Sequence, residues 1–239
     1  MQAVWNKDCL QKRRMKLSVR SFVASLFFAG GLAHASILPP TGSPPVPPDV
    51  FTTPGGGPFL ASTGTLPFVA ENALGQVTIS GTYSAEVYAD PNNVFCAGCL
   101  DFLFEITSSA TSTDGIARIT DTSFSSYLTD VGYSTGTGSV PGGIYPVTVD
   151  RSSNGAVIGF NFELPAGVAP GDSTEILEIE TNATTYMPGS LQITDGGVAT
   201  VVAFAPDAAV PEATTVSMMM MGAILFGIAF LTHRRTAAR

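Results

Sequence analysis

Two cysteines are the side chains between residues 36 and 210 whose type and spacing could do covalent chemistry. Cys96 and Cys99 are separated by two residues, a spacing found in short disulfide loops, redox sites and zinc sites. A zinc site would need two more cysteine or histidine ligands, and residues 36–210 contain no other cysteine and no histidine. The flanking residues are typical of a strand, whereas a redox thiol usually begins a helix. We therefore predict a disulfide, with a free reactive pair as the alternative.

Acidic and amide side chains are the other group that could hold a ligand. Asp90-Pro91-Asn92-Asn93 and Asp121 are acidic positions that the sequence pattern assigns to loops. Calcium binds carboxylate and carbonyl oxygens, so these positions are candidates for a calcium site. The alternating acids and closing glutamate of an EF-hand loop are absent. We therefore predict solvated turn residues, with no metal and no cofactor, and keep calcium binding as an alternative.

The composition argues against enzyme chemistry. Residues 36–210 contain no histidine and no lysine, so Ser-His-Asp, Cys-His and lysine-based catalysis lack their base or nucleophile. Paired carboxylates could hydrolyse glycosides. However, the one tryptophan for sugar stacking is Trp5, outside this region. We predict a protein that is not an enzyme and has no catalytic residues.

The charges are distributed very unevenly along the chain. Residues 36–210 carry 17 of the 19 acidic residues but only two of the 11 basic ones, Arg118 and Arg151, which gives a formal charge of −15. Such a surface repels nucleic-acid phosphates and favours solubility. Nucleic acid is therefore excluded as a partner.

Short runs of alternating apolar and polar residues occupy 74–205 and predict strands. One face carries the apolar side chains Val77, Ile79, Tyr83, Ala85 and Val87, then Phe102, Phe104 and Ile106, then Leu177 and Ile179. The alternating partners on the opposite face include Asp101, Glu178 and Glu180. Eight to ten such strands predict an all-β fold, an antiparallel β-sandwich over 74–205. Residues 36–73 are rich in proline and glycine and are interpreted as a leader.

Turn dipeptides separate these runs. Asn154-Gly155, Asp114-Gly115 and Asp195-Gly196 lie between predicted strands. Such pairs favour hairpins because the central residues of a tight turn need a positive φ.

The N-terminus has the features of a secretory signal peptide over residues 1–35. A basic region is followed by an apolar run over 22–32 and by Ala33-His34-Ala35, a small-x-small cleavage site. We expect signal peptidase to cut there, so that the mature chain starts at Ser36. Met15 would open a shorter signal of the same kind.

The C-terminal segment, 206–239, combines a motif, an apolar helix and a basic end. Val210-Pro211-Glu212-Ala213 precedes 18 uncharged residues over 214–231, which as a helix would be about 27 Å long. That length is close to the roughly 30 Å of a bilayer core and predicts one transmembrane helix. Arg234, Arg235 and Arg239 follow it and would hold the C-terminus on the cytoplasmic side.

This C-terminal arrangement resembles the PEP-CTERM sorting signal of exported proteins in Gram-negative bacteria. The likeness rests on Val210, Pro211 and Glu212, on Thr214 opening the helix, and on the terminal arginines; Ala213 stands where the motif usually has a second proline. The resemblance implies that an exosortase, a membrane transpeptidase, recognises or cuts the chain near Pro211. It also implies anchoring in the inner membrane, followed by a cell-surface or extracellular fate with exopolysaccharide as a further partner.

Three internal segments add to this likeness. Residues 95–102, 129–133 and 181–184 are similar to segments that recur among PEP-CTERM exported proteins, but the resemblance brings no activity with it. We therefore expect a non-enzymatic exported surface or matrix protein. The alternative is a tail-anchored module that binds carbohydrate, calcium or ice.

Overall fold

The computed structural model describes residues 37–40, 44–53, 55–135, 139–163 and 167–207. These residues contain no helix, and therefore none that is long and apolar enough to cross a membrane. The strands are β1 (Asp49–Phe51), β2 (Phe59–Ser62), β3 (Leu66–Glu71), β4 (Val77–Asp90), β5 (Cys99–Ser108), β6 (Arg118–Thr122), β7 (Thr129–Ser134), β8 (Thr148–Arg151), β9 (Val157–Asn161), β10 (Ile176–Thr181), β11 (Tyr186–Asp195) and β12 (Gly197–Pro206). The all-β prediction is confirmed.

The predicted alternation places the apolar side chains in the core. Phe102, Phe104 and Ile106 of β5 are buried, as are Leu177 and Ile179 of β10. Successive side chains of a strand point to opposite faces, so a period of two residues selects one face for burial.

All strands belong to one hydrogen-bonded sheet with the order β1-β7-β10-β5-β4-β3-β12-β11-β6-β9-β8, and β2 pairs with β4. Neighbouring strands are antiparallel except β1 and β7, which run parallel. The pair Glu71–Val198 joins β3 to β12 and so connects the two halves of the sheet. The sandwich prediction of two opposed sheets therefore differs from the observed pairing, in which a single sheet curls around one core.

The two ends of the sheet also meet. Val46 pairs with Val149 of β8 through backbone hydrogen bonds of 2.9 and 2.8 Å, while β1 pairs with β7 at the opposite end. Buried side chains from both halves form the shared core: Phe102, Phe104 and Leu177 from one half and Ile119, Ile158, Phe160 and Ile193 from the other.

The domain begins earlier than the sequence pattern indicated. β1, β2 and β3 all lie within 36–73, which was interpreted as a leader. Proline is compatible with strand ends and with positions where a strand has one neighbour, so the proline content did not exclude strands. Pro67, inside β3, pairs with Thr82 of β4.

Two of the three predicted hairpins are confirmed. The turn at Asn154-Gly155 joins paired β8 and β9, and the turn at Asp195-Gly196 joins paired β11 and β12. Gly155 and Gly196 have φ values of 72° and 58°, as tight turns require. The hairpin expected at Asp114-Gly115 is wrong, because β6 pairs with β11 and β9 rather than with β5.

Candidate metal centre

A row of polar side chains crosses four neighbouring strands on the face opposite the core. Tyr88 of β4 pairs with Asp101 of β5, Asp101 with Glu180 of β10, and Glu180 with Asp130 of β7. The sequence pattern placed these acidic side chains opposite the apolar face of half-buried strands. Asp101, Glu180 and Asp130 are nevertheless buried.

Three carboxylates converge at one end of this row. Asp90 ends β4, and it lies with Asp101 and Glu180 so that one ligand oxygen of each is within 4.8 Å of the other two. The relative exposures of the three residues are 5%, 0% and 6%, respectively. Asp90, Asp101 and Glu180 are called the carboxylate cluster below.

The cluster is covered by the loop 91–98, called the lid loop below. Three consecutive residues each donate one hydrogen bond to a different carboxylate: Asn92 N to Asp90 Oδ1 at 2.8 Å, Asn93 Nδ2 to Asp101 Oδ1 at 2.7 Å, and Val94 N to Glu180 Oε2 at 3.3 Å. The lid loop is therefore hydrogen-bonded to all three carboxylates that it covers.

Cys96 and Cys99 lie at the end of the lid loop. Their sulfur atoms are in bonding contact and their Cα atoms are 5.3 Å apart, which is within the usual range for a disulfide. Gly98 N donates a 2.7 Å hydrogen bond to the carbonyl of Asp90, which ties the same end of the loop to the cluster.

Three buried carboxylate oxygens on this face have no hydrogen-bond donor. They are Asp101 Oδ2 in the cluster, Asp130 Oδ1 in the same row and Glu178 Oε2 in the next row. The other oxygen of Glu178 accepts a 3.4 Å hydrogen bond from the backbone N–H of Gly55. A buried charged oxygen without a donor is costly, so each such atom calls for a proton or a cation.

The raised pKa values of the carboxyl groups on this face also indicate that nearby positive charge is lacking. Burial raises the pKa of Asp101 to about 8, and repulsion by Glu180 and Asp90 adds to the increase. The pKa of Asp130 also rises to about 8, first through burial and then through Asp49. Burial and the neighbouring acids also raise the pKa of Glu178 well above its ordinary range.

No basic side chain of the described residues neutralises the cluster. The two arginines among the described residues bind elsewhere. Arg118 pairs with Asp150, and the hydrogen bonds of Arg151 go to neutral oxygens. The possible ligands are therefore carboxylate oxygens with no basic side chain beside them, which suits a hard divalent cation such as calcium or magnesium better than zinc.

No protein-family model, no curated protein and no solved structure matches this chain. The chemistry of the site therefore rests on its own residues. The pairing of strands brings together three segments that are distant in sequence, 95–102, 129–133 and 181–184. Thr181 pairs with Thr129, and Leu100 N donates a 2.9 Å hydrogen bond to Ala183 O.

The other predicted site residues lie outside the described residues. These are the cleavage site Ala33, Ala35 and Ser36, the motif Val210, Pro211, Glu212 and Ala213, the helix 214–231, and Arg234, Arg235 and Arg239. The interpretation of Asp90 and Asn93 as solvated turn residues is wrong, because both are buried; Asp90, Asn92 and Asn93 contribute to the site.

The sequence missed three carboxylates of this face, Asp101, Glu178 and Glu180, because their alternation with apolar residues is typical of a solvated surface. The one signal in the sequence was the charge imbalance: residues 36–210 contain 17 acidic and two basic residues, so most acidic side chains on the strands have no basic partner.

Asp121 was interpreted as a loop residue, and this is wrong. It lies in β6, is fully buried, and points to the same face as Ile119 in the core. Its Oδ1 accepts a 2.7 Å hydrogen bond from Thr122 N, and its Oδ2 has no partner. Burial raises the pKa of this carboxyl well above its ordinary range.

Asp121→Asn should become progressively more favourable, relative to the natural chain, as the pH rises. The folded state holds the Asp121 proton more tightly than the unfolded state. Stability is therefore lost as the pH rises from about 4 toward the raised pKa, by up to about 1.4 kcal/mol per pH unit. Urea unfolding near pH 5 and near pH 8 measures the effect, with the exposed Asp172→Asn as control. An Asp121→Asn effect that does not change between these pH values contradicts the prediction.

Proposed function

We propose that this chain is a non-enzymatic exported protein of the cell surface or extracellular matrix, sorted by an exosortase through its C-terminal segment. The observation that carries the proposal is the order Val210-Pro211-Glu212, then 18 uncharged residues, then arginines. Before processing, the helix 214–231 anchors the chain in the inner membrane. Afterwards the β-domain reaches the surface, where exopolysaccharide is its expected environment.

The N-terminal half of the export route supports the proposal. Six of the 11 basic residues precede Ala35 and three follow residue 233, whereas the segment between the two hydrophobic stretches has a formal charge of −15. Basic residues on the cytoplasmic sides of both stretches and an acidic segment between them fit a domain that is translocated whole. Two cysteines in bonding contact fit an oxidising compartment.

The geometry of the β-domain supports a non-enzymatic role. The three acids of the carboxylate cluster are at most 6% exposed and lie beneath the lid loop. A glycoside or peptide substrate would have no access to them. A small cavity on the outer face, lined by Ser84, Glu86, Leu103 and Glu105 among others, has a volume of about 70 Å³. Ligand pockets are several times larger, typically about 300 Å³ or more.

The alternative function is a carbohydrate-binding module, which would need exposed aromatic side chains that stack on sugar rings. Tyr83 is in the core, whereas Tyr145 is exposed and stacks on Tyr133 with ring centroids 5.1 Å apart. A single stacked pair is a small platform compared with the extended aromatic surfaces of sugar-binding sites. The export proposal is therefore preferred.

Replacing Pro211 and Glu212 by alanine should leave the β-domain exported but retain the full-length protein in the inner membrane. Proline fixes φ and disfavours a helix at the preceding residue, which keeps the motif extended for a transpeptidase. Fractionation and immunoblotting of cells that produce the natural chain or the variant measure processing, and sequencing of the released protein should begin at Ser36.

Two companion variants sharpen this test. Deletion of 214–239 should release the β-domain as a soluble species. Asp207→Ala, in the same C-terminal segment but outside the motif, is the matched control and should be processed like the natural chain. If the Pro211/Glu212 variant is processed and located like the natural chain, the sorting proposal is wrong and the C-terminal segment acts only as a tail anchor.

A further inference from the structure

We propose that the carboxylate cluster binds a calcium ion, with Asp90, Asp101 and Glu180 as its ligands and the lid loop as its cover. The inference goes beyond the sorting of the chain and does not depend on it. Calcium binding is a property of the folded β-domain, whichever compartment the protein reaches.

The spacing of the ligands fits one ion. Their ligand oxygens lie within 4.8 Å of one another. Oxygen ligands lie 2.3–2.6 Å from calcium, so two ligands of the same ion are separated by up to about 5 Å. The three residues come from three adjacent strands, β4, β5 and β10, so the sheet itself fixes their separation.

An independent observation concerns Asp101. It is fully buried, and its Oδ2 has no hydrogen-bond donor although its Oδ1 accepts one from Asn93. The lid loop thus satisfies one named oxygen of each carboxylate, and the Oδ2 of Asp101 remains without a partner inside the cluster. A divalent cation would compensate two charges at once, whereas a proton would neutralise only one carboxylate.

The chemistry of the site selects calcium among the divalent cations. The cluster contains no nitrogen or sulfur ligand, which disfavours zinc and copper. Magnesium keeps several of its waters, and ligands that are 0–6% exposed beneath a bonded loop leave little room for them. Calcium accepts bidentate carboxylates and an irregular geometry, which suits side chains from three strands.

Calcium at this position would connect parts of the domain that are distant in sequence. The strands β4, β5 and β10 would share one ion, and the lid loop that covers it ends at the disulfide pair Cys96–Cys99. Asp130 lies in the same row as Glu180, and Glu178 lies in the next row of the same face. The ion would therefore stabilise the folded domain and reduce the opening of the lid loop.

The test uses the full chain, purified in detergent and freed of metal with EDTA. Isothermal titration with CaCl₂ should show one ion bound per chain, with an affinity in the range of calcium-binding modules, about 10⁻⁶–10⁻³ M. Calcium at about 100 times the dissociation constant should raise the melting temperature by about 5–10 °C. MgCl₂ should give a smaller increase, and NaCl at equal ionic strength should give little.

Asp101→Asn is the decisive variant because it should shift two measurements in opposite directions. Calcium affinity should fall at least tenfold. In EDTA, however, the melting temperature should equal or exceed that of the natural chain, because an amide can still accept the hydrogen bond from Asn93 and cannot ionise beside Asp90 and Glu180. A variant that merely folds poorly would lose stability in EDTA as well. Glu180→Gln should behave in the same way.

Glu105→Gln is the matched control, since Glu105 lies on β5 and on the same face as Asp101 but outside the cluster. It should keep the calcium response. The proposal is overturned if calcium gives no binding heat and no more stabilisation than NaCl does. It is equally overturned if Asp101→Asn binds calcium as tightly as the natural chain.

Discussion

Arg151→Met should lower the free energy of unfolding by about 3–5 kcal/mol, the loss expected when the centre of a buried polar network is removed. Arg151 is 2% exposed and uses all five of its N–H donors. Its acceptors are four backbone carbonyls and one hydroxyl, at 2.6–3.1 Å: Leu38 O, Phe124 O, Tyr127 O, Gly155 O and Thr129 Oγ1. Methionine would leave these oxygens without their donor.

The effect should be large because Arg151 joins segments that are far apart in the chain. It connects the segment before β1, through Leu38, to the turn after β8 and to the residues before β7. Arg151→Lys should also destabilise the domain, since an ammonium group offers three donors with no planar geometry to match five acceptors.

Arg118→Met is the matched control for this prediction. Arg118 is the other arginine of the domain; it pairs with Asp150 at a side-chain exposure of 36%, and such pairs contribute about 0–1 kcal/mol. Urea unfolding of the three variants at one fixed calcium concentration gives the comparison. Equal losses for Arg118→Met and Arg151→Met would mean that the Arg151 network does not hold the fold together.

Phe102→Ala should destabilise the domain by about 3–5 kcal/mol because it leaves a cavity in the core. Phe102 is fully buried on β5, a strand between β4 and β10. Its ring packs edge-on against Phe124, with centroids 5.8 Å apart and planes at 85°. The alanine variant loses both the buried area and this aromatic contact.

Phe59→Ala provides the control for Phe102→Ala. Phe59 also makes an edge-on aromatic contact, with Tyr88 at 5.6 Å, but it is 55% exposed. We expect a loss of about 1 kcal/mol or less, since little area is removed from water. Phe102→Leu should fall between the two alanine variants. Thermal and urea unfolding of the three proteins measure the series, and a loss for Phe102→Ala no greater than that for Phe59→Ala would contradict it.

The sequence alone determined the features that depend on neighbouring residues. The period of two in Phe102, Phe104 and Ile106 identified a buried strand face because alternation is a local property of an extended chain. The turns at Asn154-Gly155 and Asp195-Gly196 were found because their positive φ values are a demand on one or two residues. The sorting segment is also a local pattern, and its role stays a prediction.

The tertiary structure decided everything that depends on which strands become neighbours. The prolines of 36–73 led to its interpretation as a leader, although β1 to β3 lie there. The turn at Asp114-Gly115 connects strands that do not pair with each other, because the packing of the whole core determines which strands become neighbours. From the alternation of apolar and polar residues alone, Asp101 and Glu180 would be expected on a solvent-exposed face of the sheet. Only the strand register and the lid loop could show that they are buried against one another, since the burial comes from residues outside their own strands.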